Sequence, residues 1–129
     1  MSGTASVHTE GADIVYDHEG SGPSLLLIAG AGGEAHRYAA ASALLTQNYT
    51  VVRYDRRCCT RSTGDKTQAI DIAQQGRDAV AIIKAMGAEP AYIFGSSAGG
   101  TICCAIASNH PDLIAGMVVH EPAIQANLA

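Results

Sequence analysis

Tryptophan is absent from this chain and phenylalanine occurs once, so aliphatic side chains and alanine must fill whatever core it has. Basic residues are few. Lys+Arg 8 against Asp+Glu 12 gives a formal net charge of −4, which offers no footprint for a phosphate backbone and argues against a nucleic-acid partner. Long apolar runs are missing too: stretches such as Leu25 to Ala29 are far too short to cross a bilayer. The start, Met1-Ser2-Gly3-Thr4, lacks the basic stretch and apolar core of a secretory signal, so the expectation is a cytoplasmic protein with no membrane partner. Repeats, linkers and low-complexity tracts are also lacking, and 129 residues suit a single domain over positions 1–129. The four cysteines form two adjacent pairs, Cys58-Cys59 and Cys103-Cys104. Zinc ligands are spaced by two or more residues, so no metal is expected. A reducing compartment does not favour disulfides, and a bridge between the two pairs stays only as a geometric option.

What the chain does contain is enough apolar material, 47% against 16% charged, for a real core. Val7–Thr9 and Ala12–Asp17 read as short strands around a turn at Gly11. After the turn cluster Gly20-Ser21-Gly22-Pro23, Ser24–Ala29 is continuously apolar, as a strand buried on both faces must be. Glu34–Asn48 reads as a helix with Tyr38, Ala41, Leu44 and Leu45 on one side, and Thr50–Tyr54 as another buried strand. Asp55–Asp65 is a polar loop, with Asp55 expected to hold it together by pairing with a nearby arginine. Thr67–Met86 carries Ile72, Ala73, Ala79, Val80, Ile83 and Met86 at helical spacing, with Gly87 as C-cap. Ala91–Phe94 is a strand, Ala98–Ser108 a small-residue helix, and Ile114–His120 a last strand. The alternation predicts an α/β fold: a mostly parallel sheet of about six strands with helices on both faces, Ser24–Ala29 lying between Thr50–Tyr54 and Ala91–Phe94.

One motif carries chemistry. Gly95-Ser96-Ser97-Ala98-Gly99 fits Gly-x-Ser-x-Gly at a strand-to-helix junction, where a sharp, strained turn lifts the central serine off the sheet. The plain alternative for Ser97 is an ordinary helix N-cap.

At this point the chain resembles the N-terminal half of an α/β-hydrolase, of the esterase, C–C hydrolase and cofactor-free haloperoxidase kind. Leu25 to Gly32 resembles the family's strand and glycine turn, Tyr54-Asp55-Arg56-Arg57 with Ser62 its Asp-x-Arg-Gly-x-x-x-Ser loop, and Gly95–Gly99 its nucleophile elbow. Cys58 stands where that loop usually has glycine. The resemblance implies Ser97 as nucleophile toward a small ester-like or acyl substrate. It implies the backbone N–H groups of Ala31 and Ala98 as the oxyanion hole, and Gly30, Gly32, Gly95 and Gly99 as loop-shaping residues. No cofactor is called for. Glu121 is a candidate triad acid, because some relatives carry the acid just after this strand.

The base is harder to find. The family's histidine follows a later strand. His110 lies at the wrong end of its helix, His120 ends the last strand beside Glu121, and His36 sits past the glycine turn. The expectation is an incomplete α/β-hydrolase core, lid and C-terminal strands absent, inactive by itself. Its edge strand Ile114–His120 would be covered by a C-terminal half or a second copy. The alternatives are a non-catalytic α/β half-module that associates through that edge, and a dinucleotide-binding unit, which Gly30-Ala31-Gly32-Gly33 serves poorly because the spaced third glycine is missing.

Overall fold

The computed structural model describes residues 2–123. The apolar run forms strand β3 (Ser24–Ile28), with Leu26, Leu27 and Ile28 all sealed from solvent. A strand buried on both faces must lie inside a sheet covered on both sides. Its neighbours are β4 (Thr50–Tyr54) and β5 (Ala91–Ser96), both parallel to it, with β6 (Ile114–His120) beyond β5, also parallel. An antiparallel hairpin, β1 (Ser2–Thr9) and β2 (Ala12–Gly20), adds to β4 and gives the order β1-β2-β4-β3-β5-β6. The expected α/β architecture and the central placement of β3 are both observed.

Side-chain alternation along the strands sorts the sheet into two faces. On one, Leu26, Ile28, Val52, Tyr54 and Ile93 share a core with Ala79, Ile82 and Ile83 of helix α2 (Ile72–Ala85) and Ile102 and Ile106 of α3 (Ala98–Asn109). Each fully buried isoleucine contributes on the order of 1.5–3 kcal/mol. On the other face, Leu25, Leu27, Tyr92 and Phe94 line one pocket with Leu45 of α1 (Ala39–Leu45). Among the described residues no further helix covers that face, and on strand β6 Val118 is 62% and Met117 42% exposed.

Several expected boundaries shift for physical reasons. The helix read over Glu34–Asn48 is a 3-10 turn (Ala35–Tyr38) followed by the short α1. Leu44, assigned to its inner side, is 75% exposed. The buried residue is Ser42, whose hydroxyl donates to Glu19 Oε1 at 2.6 Å. Helix α2 starts at Ile72 rather than Thr67, because the Asp71 carboxylate accepts from the Ala73 and Gln74 backbone N–H groups and caps it there. Strand β1 reaches back to Ser2, since hairpin pairing with β2 recruits residues whose own pattern reads as loop. Among the described residues no helix is long and apolar enough to cross a membrane. The four cysteines are unbonded, and Cys103 packs as a small apolar group in the core.

The loop after β4 explains the glycine that Cys58 replaces. Cys58 has φ 65°, in the left-handed region that costs an L-residue roughly 1–2 kcal/mol and glycine almost nothing. Cys58→Gly is therefore expected to stabilise the chain by about 1 kcal/mol. Thermal unfolding monitored by circular dichroism measures this, and an unchanged or lower midpoint would count against strain at this residue.

Candidate active site

Strand β5 ends at Ser96 and α3 begins at Ala98, so Ser97 alone makes the turn between them. It does so at φ 57°, ψ −123°, a sparsely populated conformation for a residue with a side chain. The surroundings over-determine it. Its N–H donates to the His120 carbonyl at 3.0 Å, while its own carbonyl accepts from Thr101 N at 3.1 Å and Ala123 N at 3.3 Å. The chain around the turn is too close-packed for side chains. A Cβ on Gly99 would strike the Ile28 carbonyl, and one on Gly95 would strike the Gly99 carbonyl and lie 2.8 Å from Cys103 Sγ. Ser97 itself is exposed, in an open pocket of about 330 Å³ with Gly30, Ala31, Arg37, Tyr38 and Ser96.

The facing wall is the turn after β3. Gly33 N donates to the Gly30 carbonyl at 3.0 Å and closes it, with Gly32 inside at φ 85°. Gly30 faces the elbow so closely that a Cβ there would lie 2.8 Å from the Ser96 carbonyl. Sequence reasoning missed the residue that orients this turn. Arg56, buried, donates from Nη2 to the Gly30 carbonyl at 2.7 Å, from Nε to the Ala29 carbonyl at 3.1 Å and from Nη1 to Gln75 Oε1 at 3.3 Å. In a trans peptide the N–H points opposite to the C=O. Holding the Gly30 carbonyl inward therefore turns the Ala31 N–H outward. The same logic applies at Ser97, whose carbonyl is bonded into α3, so that the Ala98 N–H points away from the helix. No local sequence signal points to this arrangement, because Arg56 lies 26 residues from the carbonyl it holds.

Tyr38 donates its hydroxyl to the Ile28 carbonyl at 3.0 Å and packs edge-on against Phe94. Burial pushes its phenol up. Asp55 behaves as the loop-holding residue expected. Its Oδ1 accepts from Ala35 N at 2.8 Å, and its Oδ2 from Arg61 Nε at 2.6 Å and Arg61 N at 3.2 Å. Arg61 also grips Asp17 through two bonds of 3.0 and 2.9 Å.

The two histidines nearest the pocket bond other groups. The ring of His120 bonds Ser96 Oγ at 3.0 Å rather than Ser97, and His36 bonds Glu34 at 2.9 Å. His110 lies at the far end of α3, against Ala73 and Gly76. Glu121 is exposed with φ 46°, one residue beyond the carbonyl that holds Ser97 N. Among the described residues no three His, Cys, Asp or Glu side chains gather as a metal site would require.

The Arg61 bridge makes stability pH-dependent. For Asp55, burial raises the pKa, but the Arg61 guanidinium and the backbone donors together outweigh it and hold the carboxyl below its usual value. Asp17 is lowered chiefly by its hydrogen bond to Arg61. A carboxylate lowered in the folded state stabilises fully above its unfolded pKa, and that contribution is lost as pH falls through the folded value. Urea unfolding free energy is thus expected to fall between about pH 5 and pH 2, and Arg61→Met to flatten that fall. An identical slope in the variant would refute the assignment.

A family model described as "alpha/beta hydrolase fold" matches residues 23–129. The Bacillus subtilis (strain 168) protein named "Uncharacterized hydrolase YraK" is 36% identical over 118 residues, covering 91% of this chain and 44% of the relative. A solved α/β hydrolase from Sphaerobacter thermophilus superposes with TM-score 0.81 at 30% identity, over 96% of this chain and 47% of that one. Est816, titled an N-acyl homoserine lactone degrading enzyme, shares the fold with TM-score 0.86 at 23% identity, over 92% and 45%. The chain thus spans less than half the length of these relatives.

Proposed function

The chain belongs to the α/β-hydrolase fold family, and from that premise we propose that it carries the nucleophile half of a serine hydrolase acting on small ester-like or acyl substrates. The observation that carries this reading is the backbone of Ser97, held at φ 57° between a strand and a helix beside an open pocket. Strain of this kind costs about 1–3 kcal/mol and persists where function uses it.

In this mechanism Ser97 Oγ attacks the substrate carbonyl carbon and the carbonyl oxygen becomes an oxyanion. The N–H groups of Ala31 and Ala98 receive it, the second with the help of the α3 dipole. Arg56 is a positioning residue: by fixing the Gly30 carbonyl it sets the direction of the Ala31 donor before substrate arrives. Glu121 serves as the acid that orients the base; its place just past β6, next to the His120 carbonyl that holds Ser97 N, supports that role. The base itself comes from the length that the relatives have beyond this chain, because His36 and His120 are committed elsewhere. The open β6 edge is where that remainder, or a second copy of this chain, would add to the sheet. The exposed Val118 and Met117 there also suit the second reading, a half-module that associates without turnover.

Fluorophosphonate labelling of the full-length protein separates the two. The expected result is one adduct, on Ser97, lost in Ser97→Ala and slowed in Glu121→Gln. A full-length protein in which Ser97 stays unlabelled would favour the non-catalytic reading.

A further inference from the structure

The adjacent thiols Cys58 and Cys59 play no part in that mechanism, yet both line one cavity of about 290 Å³ between the loop after β4 and α2, together with Arg56, Lys66 and Gln74. We propose that they form a dithiol site for a thiophilic electrophile that bonds both sulfurs at once, trivalent arsenic being the chemistry it fits, and that occupancy displaces the glycine turn of the active site. The activity half of this proposal rests on the hydrolase reading; the binding half does not.

The geometry separates this pair from the other one. Cys103 and Cys104 are consecutive on α3, where side chains diverge by about 100°, and Cys103 is buried in the core. Cys58 and Cys59 sit in a loop whose left-handed turn at Cys58 leaves both half-buried and facing the same space. Each has one rotatable bond to bring its sulfur toward the other. Burial pushes the Cys59 thiol up, with the Arg56 charge pulling it back. The attacking species is the thiolate, but the net arsenical reaction takes up two thiols and releases no free proton, so the raised Cys59 thiol does not bar it. An organoarsenic(III) oxide loses its As–O bonds, two As–S bonds form, and the two thiol protons leave with the oxygen as one water. No oxidant or reductant is needed.

The link to the active site runs through Gly33. A Cβ at Gly33 would lie 2.5 Å from Cys59 Sγ, so the sulfur already rests against that backbone. The Gly33 carbonyl accepts from Arg56 N at 2.8 Å, and the Gly33 N–H closes the turn that contains Ala31. Drawing Cys59 Sγ into a bond with a shared arsenic changes its packing against this turn, and with it the placement of the Ala31 donor.

Phenylarsine oxide is the probe. Intact mass of the wild-type chain should show one phenylarsenic group per molecule, removed by a small dithiol. Trypsin cuts after Arg57 and Arg61, so the arsenic should map to the Cys58–Arg61 peptide, a readout that needs no variant. Cys58→Ser or Cys59→Ser should each weaken binding by roughly 10²-fold or more, because the second bond is intramolecular. Arsenic on the Cys103–Cys104 peptide, or single-serine variants that bind as tightly as wild type, would overturn the site. In the full-length protein the loaded form should lose Ser97 labelling and regain it with dithiol. An adduct mapped to Cys58–Arg61 with labelling unchanged would overturn the coupling alone, and a full-length protein that never labels would overturn the hydrolase reading alone.

Discussion

Toward an activated ester, the 129-residue chain by itself is expected to turn over no faster than the Ser97→Ala variant of the full-length protein, on the order of 10⁶-fold below the full-length wild type. A serine hydroxyl without a base keeps its proton at neutral pH and is a poor nucleophile. Nucleophile and base act as a unit, so losing either removes most of the rate. What remains is substrate binding and the oxyanion donors, roughly 10³–10⁴-fold over water in comparable enzymes. On the proposed reading, adding in trans the segment by which the relatives exceed this chain should restore labelling of Ser97, since that segment would bring the base and add to the β6 edge. The decisive contrary result would be brisk labelling of the isolated chain that His120→Ala or His36→Ala abolishes, which would place the base within this sequence. The His120 ring is the more informative of the two, because its bond to Ser96 leaves it one residue from the nucleophile.

Asp78→Ala should be the most damaging single change to the fold, costing about 3–5 kcal/mol. Asp78 and Arg57 form a bidentate pair, Nε to Oδ2 at 2.9 Å and Nη2 to Oδ1 at 2.8 Å, with side chains 1% and 8% exposed. Arg57 also donates to the Glu10 and Thr9 carbonyls, so one guanidinium ties the hairpin, the loop after β4 and α2 together. Removing the carboxylate strands a desolvated cation, and a domain of this size has only about 5–15 kcal/mol to lose. Replacing both partners, Arg57→Met with Asp78→Leu, should recover much of the loss, because the apolar pair needs no hydration. Urea unfolding of the wild type, Arg57→Met, Asp78→Leu and the double variant gives the coupling energy directly. A cost below about 1 kcal/mol for Asp78→Ala would mean the pair is solvated rather than buried.

How far the sequence could be read depended on where each segment's structure is decided. Strands β4 and β6 have the bounds that their apolar runs indicated. The α1 region misled, because alanine and leucine spacing reads as a long helix while the sheet beneath offers only a short contact. Ser42 is buried there by its bond to Glu19, and Leu44 turns outward. The start of β1 was invisible because Ser2, Gly3 and Thr4 become a strand only by pairing with β2. At the site, the Ser97 turn was legible from Gly95 and Gly99, where the backbone packs too closely for a Cβ. Arg56 was not, because its role is to bond carbonyls about 26 residues earlier in the chain.

By itself, then, the sequence determined the alternation of strand and helix, the parallel sheet it builds, and a serine at a strand-to-helix turn. These follow from periodicity and from local backbone sterics, which neighbouring residues set among themselves. Only the tertiary structure decided that Arg56 holds the Ala29 and Gly30 carbonyls, that the His120 ring goes to Ser96 and not Ser97, and that Cys59 leans on the turn carrying Ala31. Those outcomes depend on hydrogen bonds between segments far apart in the chain, whose directions are fixed only when the strands have paired and the loops have closed over their ends.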